Sequence, residues 1–435
     1  MTLLQSWYKH LKTFHEEFDQ SFGELGFHVA LHPYRYLVAG LITALTCASG
    51  LVWLKVESAS SKLWVPQNSL TKQAQAYMES KYGNPARFAS FALLSTTSSS
   101  VTTLSHFSTF WNLHDMITDN TSANVINSNG NTWSSMCDGN SYDCVSASPL
   151  TFFAFNRTYY DVTVSTESEL LAAISASTNP AGFQIPRDRY FGNIGTDSNG
   201  NINSASIVVA FYYFIDNDAA DDYLLEYVDV MAAQAKTLNG LELLYFTDRS
   251  TDDGLADSVT GDIPLMILTY IIMGMFSCAM LVRSYRNFTE TRILLSTGGV
   301  LIVILGIAAG YGLCAGSGVI FTSIHQVLPF IIVGIGLDDM FIIVATFDSY
   351  NEIEDIPTRM SATLRRCGLS ITYTTVTDVV AFLIGSISIL PAIEYFCLYA
   401  AASLFLNYAF QVTMFSALLV LDMRRYSKGK IDCCP

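Results

Sequence analysis

The sequence predicts a multi-span α-helical membrane protein of six transmembrane helices, with an α+β domain inserted between helices 1 and 2. Three observations predict it. The 435 residues are 51% hydrophobic and only 14% charged, too apolar and too poorly charged for a soluble enzyme of this length. Six apolar runs are each long enough to cross a bilayer. Between the first two lies a polar block, 55–262, rich in Ser, Thr, Asn, Asp and Tyr.

The first segment, 1–33, mixes charges with scattered aromatics such as Trp7, Phe14, Phe18 and Phe22. It lacks the charged, apolar, small-residue order of a cleavable signal peptide, and an amphipathic surface helix is expected instead. Span 1 covers 34–54, with Tyr34 and Arg35 placed as interfacial anchors.

The polar block holds 23 Asp and Glu against 10 Lys and Arg, a net −13 out of the chain's −15. That acidity excludes nucleic acid as a partner and favours cations or basic partners. Asn120-Thr-Ser and Asn156-Arg-Thr are glycan acceptor sequences. Cys137 and Cys144 are seven apart, close enough for a disulfide that staples the loop. Together they place the block outside the cytosol. Arg87–Leu94 and Ser206–Phe214 read as strands, and Val101–Met116, Glu167–Ser177 and Ala219–Leu238 as helices, a compact α+β domain. Asp216, Asp218, Asp221 and Asp222 read as solvated charge at a helix N-terminus. No nucleophile, base and orienter stand out here and no metal-ligand spacing occurs, so no enzyme and no metal are expected.

Five spans follow, near 263–282, 293–314, 320–347, 369–389 and 392–421, joined by short connections into one bundle, with a tail at 422–435. Arg283, Arg286 and Arg292, then Arg359, Arg365 and Arg366, then Arg424, Arg425, Lys428 and Lys430 fall on one side of a six-span arrangement. Both termini are therefore expected in the cytosol, and the acidic block outside.

The most unusual stretch is Leu328 to Ala345, where Asp338 and Asp339 interrupt an apolar span. A charge at that depth costs roughly 2.5 to 3.5 kcal/mol on insertion scales and normally faces a bundle interior or an aqueous path. Gly334, four residues before Asp338, and Gly336, two before, offer sites for close helix approach, and Pro329 can bend the span. The two acids lie about 100° apart on the helix, so at most one points at a given partner. Asp378, among Thr374, Thr375 and Thr377, is a third candidate, its neighbouring hydroxyls able to solvate the carboxylate or a cation. His325 opens the fourth span as an interfacial residue.

Several local motifs then recur in one order. They are Leu63-Trp-Val-Pro66, Val259-Thr-Gly-Asp-Ile-Pro-Leu265, Gly334-Ile-Gly-Leu-Asp-Asp-Met-Phe341, Ser370-Ile-Thr-Tyr-Thr-Thr-Val-Thr-Asp-Val-Val-Ala-Phe382, Phe396-Cys-Leu-Tyr-Ala-Ala401 and Ile431-Asp-Cys-Cys434. In this order the chain resembles the N-terminal half of the Patched and Patched-related family. That family belongs to the resistance-nodulation-division superfamily, and its five-span segment is a sterol-sensing domain. The resemblance implies a ferredoxin-like porter domain in 55–262 and binding or transport of sterol or another lipid. It also implies coupling to H⁺ or Na⁺ through Asp338 and Asp339, and no cofactor beyond those ligands. It implies two such halves, so a second half, in one chain or as a dimer partner, is expected, in the plasma or an endosomal membrane. The alternative is a sterol-responsive receptor or regulator that binds lipid without moving it.

Overall fold

The computed structural model describes residues 2–82, 87–96, 100–118, 133, 145–176, 178–180, 182, 184–214, 218–238, 240–261, 263–282 and 291–432. Cys137, Cys144 and Asn120 lie outside the described residues. The chain divides into two units, 73–253 and the remainder.

In chain order the principal elements begin with α1 (Thr2–Leu31) and α2 (Pro33–Ala48). The next are β1 (Arg87–Ser95), α3 (Leu104–Thr118), β2 (Val145–Ala147), α4 (Glu167–Ser175), β3 (Phe191–Gly192), β4 (Ile207–Phe214), α5 (Asp218–Ala235) and β5 (Leu241–Thr247). The chain closes with α6 (Ile263–Leu281), α7 (Ile293–Gly316), α8 (Leu328–Ser349), α9 (Ile356–Gly385), α10 (Pro391–Phe410) and α11 (Ser416–Ser427).

The 73–253 unit is built on an antiparallel sheet of order β2-β4-β1-β5, with β3 also paired to β4. Side chains alternate along β4, where Val208, Ala210, Tyr212 and Phe214 point inward, as the period of two requires. They meet Phe107, Phe110 and Trp111 of α3 and Tyr223 and Tyr227 of α5 in one aromatic core. Strand β5, whose Leu241, Leu243 and Thr247 are buried in alternation, was not among the expected strands. Asp221 is not merely solvated capping charge: it takes Arg87 at 2.6 Å and Arg249 at 3.1 Å, while Arg87 also pairs with Asp248. Asp216 lies outside the described residues. Asn156 is exposed, and its Oδ1 accepts from Tyr159 N at 3.0 Å as a helix N-cap.

Among the described residues of the other unit, six helices are long and apolar enough to cross a membrane, Pro33–Trp53, Ile263–Leu281, Ile293–Gly316, Ser323–Ser349, Ile356–Gly385 and Pro391–Ser427. Two bounds differ from the expected spans. α9 starts at Ile356 rather than near 369, capped by Asp355, whose side chain accepts from Thr358 N, so Arg359, Arg365 and Arg366 belong to the helix and not to a loop. The last span runs on from α10 through a π-turn at Gln411–Phe415 into α11, which carries Arg424 and Arg425 within the helix. α1 is no isolated surface helix either. Phe22 packs where a Cβ on Gly368 would stand, and a Cβ on Gly26 would lie 2.7 Å from Met360 O, so α1 lies directly on α9.

Helix α7 is the centre of the bundle. A Cβ added to Gly306 would fall 2.9 Å from Asn407 Cα, and one on Gly310 would fall 2.5 Å from Ser403 Cα. Only hydrogen at these two positions, one turn apart, lets the α7 and α10 backbones approach so closely. Ser296 donates to Ser277 at 2.8 Å, fastening α6 to α7. At the same end of α7, Arg292 binds both oxygens of Asp348 at 2.9 and 3.0 Å, and Asp422 lies 3.5 Å from its Nε. Arg359 donates to Phe347 O at 2.9 Å and lies over the Phe347 ring. These buried pairs tie together the starts of α7 and α9 and the ends of α8 and α11.

Candidate functional site

Helix α8 carries the acid doublet, and the packing separates its members. Asp339 is 5% exposed, whereas Asp338, one position round the helix, is exposed. The 100° step between neighbours puts one carboxylate in the bundle and the other on its outer face. Asp338 and Asp378 both lie near enough to Asp339 to act on it through their charge, and Asp339 acts in turn on Tyr408 of α10 and Cys367 of α9. The buried carboxylate therefore sits where α8, α9 and α10 meet.

The glycines divide in the same way, and not as the sequence suggested. A Cβ on Gly334 would meet nothing within 4 Å among the described residues, so no described helix closes on that position. Gly334 shares the outward face with Asp338, four residues on. Gly336 is the point of contact: a Cβ there would lie 2.5 Å from Asn407 Nδ2. Pro329 does not bend the span. It occupies the first turn of α8, where its missing N–H has no helical acceptor to lose, and a 3₁₀ turn at Ser323–Val327 leads into it.

The threonines around Asp378 do not donate to it. Thr374 and Thr375 bond Ile371 O at 2.9 and 3.0 Å, and Thr377 bonds Tyr373 O at 2.7 Å. Each hydroxyl proton is committed to its own helix, as is common for hydroxyls in apolar surroundings, and only oxygen lone pairs remain for a cation. Thr372 is different, since its Oγ1 also lies 2.7 Å from Tyr408 Oη and so links α9 to α10. His325 is fully buried rather than interfacial. Its Nδ1 is bonded to Thr322, and its ring packs against Phe321 and Tyr399.

Sequence reasoning missed a stripe of buried polar side chains on α10 and its π-turn. Ser403, Asn407 and Gln411 follow at four-residue steps and are almost fully buried. Ser403 Oγ, Asn407 Oδ1 and both amide atoms of Gln411 have no hydrogen-bond partner among the described residues. Ser416 Oγ, just past the π-turn, is likewise buried and unpartnered. The extra residue of a π-turn returns position 416 to the face held by 411. The signal was available as polar residues at i, i+4 and i+8 in an apolar span, opposite the Gly306 and Gly310 pair.

Residues 288–435 match the family described as the sterol-sensing domain of SREBP cleavage-activation. The chain is 30% identical over 202 residues to an NPC intracellular cholesterol transporter 1 homolog of Drosophila melanogaster, covering 45% of this chain. It is 32% identical over 208 residues to mouse Protein patched homolog 2, covering 47%. The chain is thus similar to Patched and NPC proteins, and its last third matches a sterol-sensing domain. The NPC intracellular cholesterol transporter 1 of Sus scrofa aligns over 95% of the chain at 23% identity. These alignments take in 16%, 17% and 36% of the three relatives, so the chain spans a minor part of their length. The matched segment contains Asp338, Asp339, Asp378 and the polar stripe.

Proposed function

We propose that this protein binds a sterol or related lipid and moves it in a step coupled to H⁺ or Na⁺ at Asp339, with Asp338 and Asp378 as the neighbouring acids. The single observation that carries this reading is a carboxylate sealed among three apolar helices with two further acids in electrostatic reach. A carboxylate buried among apolar helices loses its hydration, and a bound proton or cation offsets its charge. Binding and release of that ion change the charge the bundle must accommodate, which is the requirement for coupling an ion to a conformational cycle. The free lone pairs of Thr374, Thr375 and Thr377 suit a cation better than they suit a carboxylate.

The sheet order β2-β4-β1-β5, with a helix following β1 and another between β4 and β5, supports a ferredoxin-like porter domain for the 73–253 unit. Its acidity and the exposed Asn156 support placing it outside the cytosol, with both termini inside. Asp338, Thr374 and Thr377 are exposed on membrane-crossing helices, where lipid contact is unfavourable. That supports a second helical half covering this face. A lipid-responsive regulator is the second reading, favoured by the family description of the matched domain.

Asp338→Asn with Asp339→Asn separates the two readings in cells expressing the full protein. Lost sterol movement with sterol binding retained supports transport. Sterol movement at the wild-type rate removes the coupling role.

A further inference from the structure

A cavity of about 490 Å³ opens at the end of the bundle where α2 and α7 begin and α11 ends. Leu294 of α7 and Leu418 and Leu421 of α11 form its apolar floor, and Arg424, Lys428 and Lys430 its rim. The segment after α11 is pinned back onto the start of α7, which gives the groove a fixed wall. Asp432 is buried and accepts from Ile293 N at 2.6 Å and Leu294 N at 3.3 Å, capping α7. Arg425 donates to Lys430 O at 3.0 Å and to Thr291 O at 3.2 Å. The acid among the described lining residues, Asp422, is paired with Arg425 at 2.8 Å and with Arg292 at 3.5 Å. Lys428 and Lys430 are exposed at the mouth. The result is an apolar trough, level with the ends of three membrane-crossing helices, under a rim with net positive charge.

We propose that this groove binds the anionic headgroup and upper acyl chain of a phospholipid from the facing leaflet. Charge complementarity selects a negative headgroup, since basic residues at the membrane surface each contribute about 1 kcal/mol towards anionic lipid. The leucine floor selects a lipid over a free anion, because a soluble phosphate gains nothing from burying that apolar surface. The site is separate from the acids of α8 and α9 and would stand whether or not the bundle moves sterol. Its occupant would brace the starts of α2 and α7 against the end of α11, which gives leaflet charge a means of setting the stability of the bundle.

The test uses the full chain in detergent, examined by native mass spectrometry with phosphatidylserine and with phosphatidylcholine. Retention of phosphatidylserine over phosphatidylcholine is expected. Lys428→Gln with Lys430→Gln should weaken that retention about thirtyfold, whereas Lys428→Arg with Lys430→Arg keeps it and shows that the tail still folds. Leu421→Asn should weaken it as well. Equal retention of the two lipids, an unchanged glutamine variant, or displacement of phosphatidylserine by inorganic phosphate overturns the proposal.

Discussion

Acidification should loosen the 73–253 unit through one residue, His114. Its ring is buried in the aromatic core against Tyr212, Trp111 and Phe155, and its Nδ1 is hydrogen-bonded to Tyr212 Oη at 2.9 Å. Burial pushes its pKa down to about 4 from 6.5. A histidine with a depressed native pKa binds fewer protons folded than unfolded between those two values. Stability is therefore whole above about pH 6.5 and falls as the pH drops towards 4. With these two values, linkage puts the loss between pH 7 and pH 5 at about 2 kcal/mol. Hydrogen exchange of the α3 amides in the full chain, corrected for intrinsic rates, reads that loss as a roughly thirtyfold fall in protection. His114→Asn lacks the titrating ring; it should start less stable, with the pH-dependent fall from this residue abolished. An identical pH slope in wild type and variant would refute the reasoning.

Two further predictions concern the bundle. Gly336→Leu must displace Asn407 and should destabilise by about 1–3 kcal/mol, as overpacking does, while Gly334→Leu, facing open space, should stay within about 0.5 kcal/mol of wild type; thermal unfolding in detergent distinguishes them. Arg292→Ala leaves Asp348 and Asp422 without their shared guanidinium and should cost about 3–5 kcal/mol, the penalty of breaking a buried pair. Arg292→Lys should recover only part of that in the same assay, because an ammonium cannot reproduce the two-point contact with Asp348.

Much of the membrane unit was legible because apolar length is a one-dimensional signal. Composition alone marked six spans, and a carboxylate doublet in hydrocarbon is costly wherever it occurs. Which acid is buried was not legible, since one residue's rotation depends on what packs against α8. The same limit hid the roles of Gly334 and Gly336: spacing makes either a possible contact, and only the position of Asn407 decides. The start of α9 was misplaced because Arg359, Arg365 and Arg366 break the apolar run, yet Arg359 is buried by bonding Phe347 O and covering its ring. Strand β5 was passed over although its residues alternate, because Glu242 and the adjoining aromatics blur a seven-residue pattern. The stripe from Ser403 to Gln411 escaped because uncharged polar residues interrupt an apolar span only faintly, and their significance lies in being unpartnered.

The most direct test of ion coupling is sterol movement by the full protein in liposomes under an imposed H⁺ or Na⁺ gradient, with Asp339→Asn as the comparison. Sterol movement that rises with one of the two gradients in the wild type and is insensitive to both in the variant is the predicted result. A variant that responds to the gradient as the wild type does would contradict the account.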